Sequence, residues 1–306
     1  MINYIFRRIL IFIPVLLCII LLTFILVHNA PGSPFAAEKH ISDETLAALQ
    51  KQYGLDQPLY KQMLLYLKNV AHGNLGLSMN YTDRSVNEII FQALPVSMRL
   101  GTFALVLAVF FGILFGVLSA YKRNTFLDHA AMGMAMIGIS IPSFVLASFM
   151  ILIFSFYIKL FPAVGWAGPK YMVLPALTLA APYVAYISRI TRASLIEVLS
   201  QDYITAARAK GVAERPLVFT HALKNGLIPV ISFLGPAAAY VLTGSVVVEK
   251  IFAIPGLGVN FVHSALHRDY FLAVGCALVY GVILMFFNLL SDVLYGIVDP
   301  RIRYEK

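Results

Sequence analysis

Six long apolar runs divide this sequence, and their length constrains its fold more than any other feature. A helix needs about 20 apolar residues to cross the hydrocarbon core of a bilayer. An α-helix also satisfies its own backbone hydrogen bonds in lipid. The runs therefore predict an all-α polytopic membrane protein with six transmembrane helices. They lie at residues 9–27, 96–121, 130–157, 172–187, 227–248 and 272–298.

The composition excludes an ordinary water-soluble chain. Of the 306 residues, 60% are hydrophobic and 12% are charged, and the mean hydropathy is +0.82. One soluble core cannot hold that much apolar surface. The net charge of +8 would suit nucleic acid, but the basic residues are not gathered on one water-soluble face. We therefore interpret them as topology signals and expect no nucleic-acid partner.

The distribution of basic residues predicts the orientation in the membrane. Cytoplasmic loops carry an excess of Lys and Arg, and six spans place both ends of the chain on one side. Arg7 and Arg8 precede the first run, and Arg301 and Arg303 follow the last. Both termini are therefore expected to be cytoplasmic. The basic segment 190–226, between the fourth and fifth runs, is expected on the same side.

The segment between the first two runs contains helix start and stop signals, which predict a small helical lobe outside the cytoplasm. Ser42 is a suitable N-cap for a helix that Gly54 would end, and Pro58 can start a second helix that ends near Gly73. Two interpretations stay open, a lid packed on the helix bundle and a docking surface for an extracytoplasmic partner. We expect the first run to be retained, since it is longer than the apolar region of a typical signal peptide.

A polar, helix-forming insert lies within the basic segment 190–226. Residues 202–210 read as a short helix, which Gly211 would end as the residue after the C-cap. Pro216 can open a second helix in its first turn, where a missing N–H costs nothing. Ala206 and Ala207 are small enough to let another surface come close. The sequence thus predicts a helix-turn-helix handle on the cytoplasmic face.

No site for energy conversion or catalysis is recognisable in the sequence. It contains neither a G-x-x-x-x-G-K-[ST] phosphate loop nor an H-E-x-x-H pair. Asp292 is the sole acid inside a predicted span, whereas ion-coupled carriers place ionisable groups near the midplane. Cys18 and Cys276 are too few for a metal site. We expect a chain without enzymatic activity, cofactor or metal, whose driving energy comes from another protein.

The polar insert resembles the EAA loop of ATP-binding-cassette (ABC) importer permeases, a pattern of Glu-Ala-Ala, three residues, Gly, nine residues, then Ile-x-Leu-Pro. Four residues match it at the correct spacing: Ala206, Ala207, Gly211 and Leu223. Three positions depart from it, with Thr205 for Glu, His221 for Ile and Lys224 for Pro. The resemblance implies these ATPase-coupling residues: Tyr203, Thr205, Ala206, Ala207, Arg208, Lys210, Gly211, His221 and Leu223.

Further motifs extend this resemblance over nearly the whole chain. They are similar to the oligopeptide, dipeptide and nickel group of these permeases, and lie at residues 6–8, 30–34, 73–78, 249–252, 255–258, 268–270 and 299–304. Residues 34–35, 81–87 and the short connection 159–171 look most like the B-type subunits of oligopeptide permeases.

The resemblance implies a type I ABC importer permease fold in the bacterial inner membrane and a machine of five chains. The expected partners are a second homologous permease, two cytoplasmic ATPases that hold ATP and Mg, and an extracytoplasmic peptide-binding protein. This chain would form half of an oligopeptide pathway. The expected division is 1–94 for the first helix and lobe, 95–298 for the core with coupling loop 190–226, and 299–306 for a cytoplasmic tail.

Two kinds of alternative remain at this point. Within the family, the substrate could be dipeptides, murein peptides or nickel, because substrate choice rests largely on the binding protein. From another class, an ion-coupled secondary transporter would keep transporting after ATP depletion. The near absence of acids inside the predicted spans argues against it.

Overall fold

The structure, a computed structural model, describes residues 2–32, 34–35, 42–81 and 83–298. Within those ranges the regular elements are helical, and the one β pairing is an isolated bridge between Leu77 and Ser85. The all-α prediction is confirmed. The predicted tail at 299–306, with Arg301 and Arg303, lies outside the described residues.

The helices are α1 (Ile2–Asn29), α2 (Asp43–Gln52), α3 (Leu59–Ala71), α4 (Val86–Tyr121), α5 (Phe126–Ser140), α6 (Ser143–Met150), α7 (Pro169–Leu199), α8 (Asp202–Ala209), α9 (Glu214–Pro216), α10 (Leu223–Gly226), α11 (Ile228–Leu242), α12 (Val246–Ile251), α13 (Leu257–Leu266) and α14 (Tyr270–Val298), with π-helical segments at Ile151–Tyr157 and Leu217–Ala222.

The third predicted span differs from the single helix that its hydropathy indicates. Five spans in the described chain are long and apolar enough to cross a membrane, and a sixth is a helix pair bent by 111° between Ser140 and Ser143. The bend has a local cause. Ile141 precedes Pro142, and the proline ring excludes the α conformation at that position. Ile141 accordingly has extended angles of φ −99° and ψ 125°, so the helix ends and restarts in a new direction.

Other boundaries move because helices continue beyond the apolar windows. Helix α4 begins at Val86 and contains Pro95, whereas the apolar run begins at 96. Helix α7 continues to Leu199, so the first part of the predicted loop 190–226 is helical. Pro229 does not kink a helix, because it lies in the first turn of α11. An apolar run marks the part of a helix that lies in the hydrocarbon core, and the helix itself extends beyond that run.

Two compact units make up the described chain. Unit A contains residues 97–254 and the described residues from Leu284 onward, and unit B contains the described residues of 2–96 with 255–283. The boundaries of these compact units differ from the expected division into 1–94, 95–298 and 299–306. That division describes functional parts and stays a prediction.

Close helix contacts in unit A surround α7. A Cβ added at Gly112 of α4 would lie 2.6 Å from the Cβ of Ile187, and one at Gly116 would lie 2.5 Å from the Cβ of Thr191. Gly138 of α5 likewise leaves no room for a side chain against the backbone of Ala181. Small residues let backbones approach closely where lipid provides no hydrophobic drive for association. Gly112 and Gly116, four residues apart on one face of α4, therefore allow α4 and α7 to pack closely.

A buried carboxylate joins three helices of unit A. Asp128, in the first turn of α5, is 3% exposed. Arg192 of α7 donates from Nε to Oδ1 and from Nη2 to Oδ2, both at 2.9 Å. The Ser119 hydroxyl of α4 donates to Oδ1, and the Asn124 backbone N–H donates to Oδ2 at 2.9 Å. Four donors thus compensate the cost of burying this charge, and the bidentate Arg fixes its geometry.

The lobe between α1 and α4 forms in unit B with the predicted caps. The Ser42 hydroxyl accepts from the Thr45 backbone N–H, and Gly54 and Gly73 have φ of +68° and +77° after α2 and α3. Tyr66 of α3 packs with Phe24 of α1 and is 2% exposed. The packing interpretation of the lobe is thus supported. Leu59, placed on the same face by its spacing, is exposed at the start of α3.

The Asp128–Arg192 pair should stabilise unit A through mutual pairing. We expect Asp128→Ala and Arg192→Ala to be less than additive, with a coupling free energy of about 1–3 kcal/mol, because each single change leaves a charge without its partner. Reversible unfolding of the chain in mixed micelles measures the cycle. The exposed pair Arg208–Glu214 is the matched control and should show little coupling. Additive effects at Asp128 and Arg192 would contradict this assignment.

Candidate functional site

The coupling segment, residues 202–226, begins with the short helix α8. Asp202 lies in its first turn, where a negative charge suits the helix dipole. At the other end the Gly211 N–H donates to the Arg208 carbonyl at 3.0 Å, and the Val212 N–H donates to the Ala207 carbonyl at 3.2 Å. These two bonds form a Schellman motif. Gly211 adopts φ +86°, so it ends the helix as its sequence position predicts.

The second arm of the segment is helical but irregular. Helix α9 begins at Glu214, with Pro216 in its first turn as predicted. The chain then forms a π-helix over Leu217–Ala222 before α10. Single π-helical turns cost stability and concentrate at functional positions. The helix-turn-helix prediction is therefore confirmed in outline, although the second helix changes its winding along its length.

The inner face of the coupling segment is fastened to two membrane helices. Ile204 of α8 and Leu217 and Ala222 of the second arm are fully buried. They pack in one cluster with Val117 and Ala120 of α4 and Leu195 and Val198 of α7. Each fully buried Ile or Leu contributes roughly 1.5–3 kcal/mol. The segment is thus seated on α4 and α7 as part of unit A.

The predicted coupling residues divide between the outer face and this inner packing. Ala207 and Leu223 are half-buried and pack against the inner cluster. Ala207 therefore contacts its own chain. Of the two adjacent alanines, Ala206 is the exposed one. The exposed members are Tyr203, Thr205, Ala206, Arg208, Lys210, Gly211 and His221.

Two polar contacts hold the arms of the segment together, and both involve residues that the family pattern does not mark. Asn225 Nδ2 donates to the Tyr203 hydroxyl at 2.9 Å. Arg208 Nε donates to Glu214 Oε1 at 2.7 Å and spans the turn around Gly211. This hydrogen bond holds the pKa of the Glu214 carboxyl below its ordinary value. Since the pKa is lowered in the folded state, the contact persists at neutral pH and is lost only as pH falls through that lowered value.

The positive φ of Gly211 should decide which side chains the turn accepts. No atom lies within 4 Å of a Cβ added there, so the backbone conformation alone sets the cost. Gly211→Val should loosen the end of α8 by about 1–3 kcal/mol, whereas Gly211→Asn should be tolerated, since Asn visits this region.

Hydrogen exchange at the Gly211 and Val212 amides measures this difference. Gly133→Val, at an exposed helical glycine whose Cβ also meets no atom, is the control and should leave those amides unchanged. Equal protection in the Val and Asn variants would exclude the Schellman end as the source of order in this turn.

Comparisons with known proteins place this geometry in a family. Residues 112–304 match the family described as "Binding-protein-dependent transport system inner membrane component", and residues 1–101 match its N-terminal companion. The "Oligopeptide transport system permease protein OppB" of Haemophilus influenzae is 44% identical over 306 residues, which covers 99% of this chain and 100% of that protein. The "Dipeptide transport system permease protein DppB" of Bacillus subtilis is 45% identical, covering 100% of this chain and 99% of the relative.

Solved structures support the fold independently of close sequence similarity. A chain of the MetNI methionine ABC transporter, crystallised in inward-facing conformations, superposes with a TM-score of 0.57 at 16% identity. The match covers 69% of this chain and 96% of that one. The family matches, the full-length relatives and this fold agree with the motifs in the sequence. The chain belongs to the inner membrane components of binding-protein-dependent transport systems and is a multi-pass permease subunit of an ABC importer.

Proposed function

We propose that this chain is the permease subunit of an ATP-driven oligopeptide importer and forms half of its pathway. The observation that carries the proposal is 44% identity to an oligopeptide permease over the whole chain, including both the lobe and the coupling segment. The proposed partners are a second homologous permease, two ABC ATPases that hold ATP and Mg, and an extracytoplasmic peptide-binding protein. Both termini and the coupling segment are proposed to be cytoplasmic.

The geometry supports mechanical coupling through residues 202–226. An ATPase that moves against the exposed face at Tyr203, Thr205 and Ala206 would push on a body whose inner face is buried against α4 and α7. Because packed interfaces switch between discrete arrangements rather than deform continuously, such a push would be passed to the membrane helices. In this scheme the chain needs no ATPase site of its own.

Dipeptides are the second candidate substrate class, since the Bacillus subtilis relative named a dipeptide permease is as similar as the oligopeptide ones. Overall identity therefore does not separate the two. Competition between peptides of different length would, because the better substrate displaces the labelled one at lower concentration.

Reconstituted transport tests the proposed function. The chain, assembled with its partner permease and ATPases in proteoliposomes, should take up a labelled tripeptide or longer peptide when loaded binding protein and ATP are present. Uptake should stop without ATP and persist when ion gradients are collapsed. Uptake driven by an ion gradient in the absence of ATP would overturn the proposal in favour of a secondary transporter.

Ala206 is the sharpest probe of the coupling face, because its side chain is exposed and does not belong to the inner cluster. We expect Ala206→Glu to reduce peptide uptake at least about tenfold, since a charge forced against a partner surface is desolvated or holds the surfaces apart. Ala206→Ser, which keeps the small volume, should retain uptake.

Two measurements keep this test independent of folding. The thermal stability of both variants should equal that of the wild type, because the site is exposed. A cysteine at position 206 should also crosslink to an ATPase cysteine in a nucleotide-dependent way. Normal uptake by the Glu variant, together with no crosslink in any nucleotide state, would exclude Ala206 from the ATPase interface.

A further inference from the structure

The external lobe contains a cleft of about 570 Å³, all of it within unit B. Its lining includes Lys51, in the last turn of α2, and Lys61, in the first turn of α3. Tyr53, Tyr66 and Phe271 contribute an aromatic floor. This volume lies within the range of about 300–1,000 Å³ that is typical of binding sites, and the coupling scheme does not use it.

Hydrogen bonds and ring stacking hold the cleft open in a fixed shape. The rings of Tyr66 and Phe271 stack with centroids 5.5 Å apart and an interplanar angle of 5°. The Tyr53 hydroxyl donates to the Ser78 carbonyl at 3.0 Å. Gln62 Nε2 donates to the Gln57 carbonyl at 2.7 Å and thereby ties the start of α3 to the preceding turn. A partner would therefore meet a surface that is already formed.

Among the described residues, the cleft is lined by two lysines and by no acidic side chain. Neither Lys51 nor Lys61 forms a salt bridge with a carboxylate of the described chain. Asp56, on the intervening turn, accepts from Gln57 Nε2 at 3.4 Å. Glu44 lies seven residues before Lys51 on α2, about 10 Å along the helix axis. Two lysines thus line the same cleft.

Lysine pairs of this kind suit a partner that must arrive and leave repeatedly. An ammonium is a hydrated point charge on a flexible stem, so it attracts carboxylates over a distance without demanding one bidentate geometry. Complementary charge of this type raises association rates more than it slows dissociation. A delivery protein that docks, empties and departs needs this balance.

We propose that the Lys51–Lys61 cleft is a docking site for carboxylate side chains of the extracytoplasmic binding protein. The inference rests on the proposed function, which puts the lobe on the opposite side of the membrane from the coupling segment, where that protein arrives. The lysines steer acidic groups of the binding protein to the cleft, and the half-buried rings of Tyr53 and Phe271 contact the apolar surface beside them.

Titration of loaded binding protein against the reconstituted complex tests this assignment. In the double variant Lys51→Glu and Lys61→Glu, the concentration that gives half-maximal ATPase stimulation should rise at least about tenfold, and the maximal rate should be unchanged. Lys68→Glu, at an exposed lysine on the same helix α3 but outside the cleft, is the matched control and should behave as the wild type. Raising the ionic strength should weaken docking of the wild type and improve docking of the double variant, because salt screens the repulsion between the introduced carboxylates and those of the partner.

Nanodiscs of zwitterionic lipid separate the binding protein from lipid headgroups as the ligand of the lysines. A shift of the double variant that appears only in anionic lipid would assign the lysines to headgroups and overturn the inference. A wild-type titration curve in the double variant, or a lower maximal rate at an unchanged half-maximal concentration, would also overturn it. A wild-type complex that loaded binding protein does not stimulate would overturn the proposed function itself, and the inference with it.

Discussion

Close packing around α7 is the constraint on which unit A depends. Lipid is as apolar as the helix surfaces that it would separate, so association relies on near contact and on polar bonds rather than on exclusion of water. Glycines 112, 116 and 138 supply the near contact by letting α4 and α5 meet α7 without intervening side chains. The Asp128–Arg192 pair supplies the polar bond at one end of the same interface. Each feature would be weaker alone, because the close approach brings the two charges to bidentate distance.

Helix α7 also packs against the inner face of the coupling segment. Leu195 and Val198, near the end of α7, are buried beneath Ile204 and Leu217. A force applied to the outer face of α8 is therefore met by side chains of a helix that is itself locked to its neighbours. The turn at Gly211 is secured by backbone bonds, and the exposed Arg208–Glu214 contact spans it. This arrangement suits a segment that transmits displacement, because its buried side chains pack directly on α4 and α7.

Local signals predicted the features that local physics determines. The cap at Ser42, the ends at Gly54 and Gly73, and the Gly211 turn depend on backbone conformations that a few adjacent residues set, and each forms where its sequence indicates. The sharp bend at Pro142 follows an equally local rule, but a hydropathy window averages over it. Ala207 was harder to place, because its half-burial depends on the inner cluster, whose members in α4 and α7 are distant in sequence. The lobe cleft also escaped prediction, since Lys51 and Lys61 line one cleft only once unit B has folded.

The departures from the EAA pattern follow the division between inner and outer faces. Thr205, His221 and Lys224 stand where the pattern has Glu, Ile and Pro, and all three are exposed. Exposed substitutions usually change folding stability by less than about 0.5 kcal/mol, so the scaffold places little constraint on them. Half-buried Ala207 and Leu223, which meet the inner cluster, keep the pattern. Exposed Ala206 and Gly211 keep the pattern as well, and the positive φ of Gly211 gives the reason at that position. Packing thus fixes Ala207 and Leu223, whereas positions 205, 221 and 224 are free to follow the surface of the partner. A matching ATPase should therefore differ from those of other permeases where it faces these three positions.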